Sequence, residues 1–247
     1  MLNRSKCIVI VPVYQTIDPT CDQSLHLLEE QGYKVWRMDG GAAIDVARNR
    51  LATAALAQGY DELMWIDSDI AFERDAVDRL RDHDLPICAG IYPKKAEASF
   101  AFHSYDKQMT VGSKGGLFEV VYAATGFMHV RREVFETVQK QFDLPMCNTS
   151  FGDPFVPYFM PQVIPYKEGH WYLAEDYSFC HRVRRCGYKI LVDTTIRLFH
   201  IGRYAYSWED SLGDRERHDW TDLTLNPLPK PAQEPWNPAH DNPSGKK

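Results

Sequence analysis

The sequence predicts an α/β domain with a mostly parallel central sheet flanked by helices and a small antiparallel extension. Three observations lead there. Short apolar, β-branched runs alternate with helical patterns through the first third, a βαβαβαβ order that implies parallel strands with helices on both faces. The chain has 247 residues and 44% hydrophobic content, enough to bury a core without disulfides or a structural metal. Its middle changes to strand-rich patterning around the turn "GSKGG", which suits an antiparallel addition.

The elements follow in order. "CIVIVPVY" reads as a buried strand that turns at Pro12, which cannot donate to a ladder. "SLHLLEEQG" has helical spacing closed by Gly32, and "YKVWRMD" is a second strand. "AAIDVARNRLATAALAQG" is alanine-rich, apolar on one face and closed by Gly59, hence a helix. "DELMWID" and "LPICAGIYP" are strands on either side of the charged helix "ERDAVDRLRDH". Residues 100–130 are strand-like and "RREVFETVQKQF" is a helix. The segment 143–169, rich in proline and aromatics, reads as a long loop that closes over a site or walls it. "EDYSFCHRVRRCG" is a helix, followed by strands in "YKILVD" and "TIRLFHIG". Residues 1–205 form the expected catalytic domain. Residues 206–247 form a proline-rich extension, disordered in part.

Composition narrows the function. A net charge of -6 with dispersed acids argues against a nucleic-acid partner. None of the six cysteines forms a C-x-x-C pair, so free thiols in a reducing cytoplasm are expected. No run has membrane-spanning length, which leaves peripheral contact with a membrane surface open.

"WIDSD" places Asp67 and Asp69 where the third strand ends, on the rim where open α/β sheets bind ligands. Two carboxylates one residue apart can face one Mn²⁺ or Mg²⁺ holding a diphosphate; alternatively, Asp67 ends a strand and Asp69 caps a helix. Tyr14 stands on the same rim, positioned to face a base or ribose. Arg48 and Asn49 lie near a helix start, Arg48 being either a charge partner for these groups or a solvated helix-face charge. His200 ends the last apolar strand, as a metal ligand or a structural histidine. Glu175 and Asp176 open a helix, where acids favour the macrodipole and where a carboxylate can also act as general base. Trp171, Tyr172 and Tyr177 offer flat faces that suit sugar rings as well as cores.

In order, "VIVPVY", "ARNR", "WIDSD", "TGFMHVRREVF", "AEDYSFCHRVRRCGYKILVD" and "LFHIG" resemble nucleotide-sugar glycosyltransferases of the GT-A fold, most of all the bacterial family 2 type, over residues 6–203. The resemblance implies a UDP- or GDP-sugar donor contacted by Pro12, Val13, Tyr14, Arg48, Asn49, Asp67 and Gly126. It implies Mn²⁺ or Mg²⁺ on Asp67, Asp69 and His200, and Asp176, beside Glu175, as base in an inverting transfer. The acceptor, a glycan, a lipid-linked sugar or another hydroxyl compound, would meet Trp171 and Tyr172. The Q-x-x-R-W motif of processive synthases is absent, and "CHRVRRCGY" stands in its region. Retaining enzymes share the fold, so the resemblance leaves stereochemistry open. A non-catalytic nucleotide-sugar or carbohydrate-binding protein is the alternative from another class.

Overall fold

A computed structural model describes residues 2–39, 43–95, 99–202, 204–213 and 216–230. The first half alternates β1 (Cys7–Val13), α1 (Pro19–Glu30), β2 (Lys34–Asp39), α2 (Ile44–Ala57), β3 (Glu62–Ile66), β4 (Ile70–Phe72), α3 (Ala76–Asp82) and β5 (Ile87–Gly90). The middle holds β6 (Phe102–His103), β7 (Gln108–Gly112), β8 (Leu117–Val120), β9 (Tyr122–Ala123), β10 (Phe127–Arg131) and α4 (Arg132–Gln141). Then come β11 (Gln162–Tyr166), β12 (Gly169–Leu173), α5 (Glu175–Arg185), β13 (Ile190–Asp193), β14 (Leu198–Ile201), β15 (Ala205–Tyr206) and β16 (Trp220–Thr224).

Seven strands form the central sheet in the order β2-β1-β3-β10-β5-β13-β8. β1 runs parallel to β2 and β3, and β5 parallel to β13, while β10 and β8 run antiparallel to their neighbours. The expected mostly parallel sheet is therefore present, with small antiparallel sheets beside it. Period-2 alternation divides the core between its two faces. Ile8, Ile10, Leu63 and Trp65 pack on one face; Cys7, Val9, Val11, Met64 and Ile66 pack on the other.

Three local expectations are corrected. α1 starts five residues before "SLHLLEEQG", because the Asp18 carboxylate accepts from Thr20 and Cys21 N–H and Pro19 fits the first turn. β1 continues through Pro12, which pairs in register with Met38, and the chain turns after Val13. The segment 143–169 is no open loop: it includes β11, and its Phe155, Val156, Tyr158 and Phe159 are buried. Prolines hide the periodicity, but Thr53 and Asn49 side chains on α2 accept the Val156 and Phe159 N–H groups and fasten the backbone.

The chain from 206 onward rejoins this body within the described residues. Trp208 and Leu223 are in the core, β16 pairs with β7, and Leu228 N–H donates to Ser104 O at 2.7 Å. Residues 231–247 lie outside the described part. No described helix is long and apolar enough to cross a membrane. All six cysteines are free thiols.

Candidate active site at the carboxyl rim of the sheet

β3 ends at Ile66 and the chain turns through Asp67, Ser68 and Asp69 before β4. The turn is tied down: Asp67 N–H donates to Gly126 O at 2.9 Å, and Ile70 N–H to Asp67 O at 3.1 Å. β4 pairs with β14 so that Ile70 faces His200, and Ile201 N–H donates to Asp69 O at 2.7 Å. That pairing, which joins positions far apart in the chain, is what brings His200 to Asp69.

His200 Nδ1 donates to the Pro93 carbonyl at 2.9 Å, which leaves Nε2 facing Asp69 Oδ1 at 3.6 Å. Lys95 Nζ lies 2.5 Å from Asp69 Oδ2. Burial alone would raise the Asp69 carboxyl, but His200 and Lys95 beside it hold it below the usual range. Among the described residues no three acidic, histidine or cysteine side chains gather into a metal-holding group. Asp69 and His200 come together; Asp67 turns to Arg48.

Arg48, on α2, is only 3% exposed. Its Nη2 donates to Asp67 Oδ1 at 2.8 Å, its Nε lies 3.8 Å from Glu175 Oε1, and its plane sits over Trp65. Among the described residues Nε and Nη1 have no hydrogen-bond partner. Arg81 makes the contrast at the amino end of β3. It grips Glu62 with Nε and Nη2, each at 2.7 Å, and gives Nη1 to Tyr33 Oη. A buried guanidinium with open donors is costly unless something else fills them. Arg48 is thus built as a half-occupied fork.

Asp176 stands in the first turn of α5, next to Glu175. Its Oδ1 accepts from Tyr177 N–H at 2.7 Å. Burial, aided by the Glu175 charge, pushes its carboxyl up to about 7, against the pull of Tyr177 N–H and Arg48. Glu175 points to Arg48 instead. The two acids that open this helix therefore have different surroundings.

Tyr92 and Lys95 belong to the site and were missed from sequence. Tyr92 is buried, its hydroxyl accepts from Gly126 N–H at 3.0 Å, and its ring meets His200 edge-on. Burial, with Asp67 and Asp176 nearby, holds its phenol well above the usual value, hence neutral. The signal was available in "IYPKK", which directly follows β5 on the same rim. Gly126 fills the gap: a Cβ there would come within 2.2 Å of Tyr92 Oη and 2.8 Å of Asp67 Oδ2. Gly126→Ala is accordingly expected to cost about 1–3 kcal/mol through overpacking and to disturb Asp67. Thermal melts compared with a Gly116→Ala control, where a Cβ meets nothing within 4 Å, would check it.

The remaining predicted residues separate. Pro12 is buried in β1, and Val13 is half-buried behind Tyr14, which is 64% exposed just past the strand. Asn49 faces inward and holds Phe159 N–H at 2.7 Å, so its side chain serves packing. Trp171 packs edge-on against His103 and Tyr122, while Tyr172, the next residue on β12, is exposed.

No protein-family model matches the chain, and no curated protein matches it by sequence. Among solved structures, A197 from STIV is similar over 92% of this chain and 98% of its own, with 14% identity and a TM-score of 0.51. A glycosyltransferase involved in glycosylation of the major capsid of PBCV-1 is similar over 59% of this chain and 68% of its own, with 13% identity and a TM-score of 0.31. TarS 1-349 of S. aureus is similar over 76% of this chain and 58% of its own, with 14% identity and a TM-score of 0.38. At this identity the likeness to A197 is one of fold alone, and the described chain has an α/β architecture with a mostly parallel central sheet.

Proposed function

We propose that this chain is a glycosyltransferase that moves a sugar from a nucleotide-diphosphate-sugar to an acceptor hydroxyl, with inversion at the anomeric carbon. One observation carries the reading: Arg48 is buried at the carboxyl rim, is tied to Asp67 and keeps Nε and Nη1 open. A guanidinium fork of this kind suits the paired oxygens of a phosphate. Asp67 orients the fork, and Lys95 adds a second cation on the same rim.

Asp69 and His200 suit Mn²⁺ or Mg²⁺ as a carboxylate oxygen and an imidazole nitrogen. The Pro93 carbonyl anchors the other ring nitrogen, as ligating histidines require. Two protein ligands suffice for an ion that keeps waters and takes phosphate oxygens. When bound, the ion would neutralise charge on the leaving diphosphate. Lys95 presents its ammonium to the same carboxylate and competes for it.

Asp176 supplies the base. A carboxyl that holds its proton up to about 7 is well matched to removing one from an acceptor hydroxyl near neutral pH. The resulting alkoxide character is met by the anomeric carbon on the face opposite the leaving group, and Arg48 receives the charge that grows on the diphosphate.

Screening UDP- and GDP-sugars for slow hydrolysis in Mn²⁺, with calorimetric titration of UDP and GDP, tests the reading. Turnover of one donor supports it; affinity without turnover for any donor makes the chain a binding protein. Product anomer analysis by NMR decides stereochemistry, and retention would end the inverting assignment. Asp69→Ala is expected to abolish Mn²⁺-dependent nucleotide affinity with little change in melting temperature, because the side chain lies on the rim. Unchanged Mn²⁺-dependent affinity in that variant would remove Asp69 from the metal site.

A further inference from the structure

A cavity of about 610 Å³ lies beside the site, between the β11–β12 hairpin, the strand around Phe102 and the chain at 223–228. It falls within the range of small-ligand sites, roughly 300–1,000 Å³. Two parts of its lining lead toward the site, one along the chain and one through ring contacts. Lys94 lines it, and Lys95 holds Asp69. Trp171 and His103 line it and pack against Tyr177, which follows Asp176 in α5. The cavity wall is thus one ring contact, Trp171 to Tyr177, from the residue that adjoins the proposed base.

Its lining has two chemical features. Trp171 and Tyr166 stand 5.2 Å apart at 57°, an angled aromatic corner of the kind that sugar rings stack on. Around this corner are Lys94, Lys167, His103 and His170, and among the described residues no carboxylate lines the cavity. That imbalance runs against the whole chain, which has 34 acids to 28 lysines and arginines. A neutral glycan would gain little from such a lining, whereas an anion would gain charge-assisted contacts. Burial and the nearby Lys94 charge keep His103 below its usual pKa, so the exposed Lys167, and not this histidine, is the cation offered to a ligand.

We propose that this cavity is the acceptor site and that it takes a saccharide bearing an anionic group, a carboxylate or a phosphate. The assignment of the ligand as acceptor rests on the glycosyltransferase reading; the anion preference does not. Lys167 and His170 are exposed on the hairpin, so they can be changed without opening the core.

The test is direct binding by calorimetry without donor, at low salt. The probes are a glucuronate-terminated disaccharide, glucose 1-phosphate and neutral maltotriose. One anionic probe is expected to bind about tenfold or more tighter than maltotriose, and the tighter of the two identifies carboxylate or phosphate as the group read. Lys167→Gln with His170→Gln is expected to erase most of that preference while leaving UDP and GDP affinity unchanged. Equal affinity for all three probes, or a preference that survives the double variant, would overturn the proposal. So would displacement of the anionic probe by UDP, which would assign the cavity to the donor. If the anion preference holds and no nucleotide-sugar is turned over, the glycosyltransferase reading fails and the anion-selective saccharide site stands.

Discussion

Asp176→Asn is expected to lower turnover by roughly 10²–10⁴-fold, with donor affinity nearly unchanged, and to raise the melting temperature at pH 8. Both effects come from one environment. The folded protein holds this carboxyl near 7, above the ordinary value of 3.8. Between those values the folded state binds a proton that the unfolded chain has released, so stability from this group falls as pH rises. Above 7 the full cost of a buried, ionised Asp176 is present, on the order of 4 kcal/mol. Asparagine removes that cost and still accepts from Tyr177 N–H. The gain should shrink toward pH 4 and vanish only below the ordinary value of 3.8, where the aspartate is protonated in both states. For the same reason wild-type kcat/KM should rise with pH through about 7, as the base ionises. Calorimetry across pH 4–8 and a pH–rate profile check the two together. A variant that melts lower and keeps its turnover would make Asp176 a helix-start residue and nothing more. Glu175→Gln is the control, because Glu175 faces Arg48 and its loss should act through donor affinity.

Arg48→Met is expected to weaken donor affinity about 100-fold or more and to destabilise the protein at the same time. Removing one member of a buried pair costs about 3–5 kcal/mol when the other is left fully buried. Asp67 is one-third open to solvent, so the cost here should be at the low end. Adding Asp67→Asn removes the orphaned charge. The double variant should therefore recover much of the stability and none of the affinity, which separates folding from binding. Arg48→Lys keeps the charge but loses the planar fork, and should bind donor more weakly than wild type. Calorimetric titration with UDP and GDP, paired with melts, reads all three. Wild-type donor affinity in Arg48→Met would show that the open Nε and Nη1 face no ligand.

The sequence by itself determined the alternation of strands and helices, the period-2 division of the core and the placement of Asp67 and Asp69. These are local properties: apolar spacing sets the elements, and a residue just past a strand end lies on the rim whatever the strand order. Tertiary structure decided the rest. Arg48 and Asn49 are adjacent on α2, and about 100° of helical rotation turns one to Asp67 and the other to Phe159. The aromatics of 143–169 carry no readable period, because their burial is set by side chains of α2 and not by their own backbone pattern. Lys95 and His200 are 105 positions apart and meet at Asp69 only because β4 and β14 pair. Proton affinity at Asp176 and the open donors of Arg48 follow from desolvation, which is a property of packed neighbours and not of any short stretch of chain.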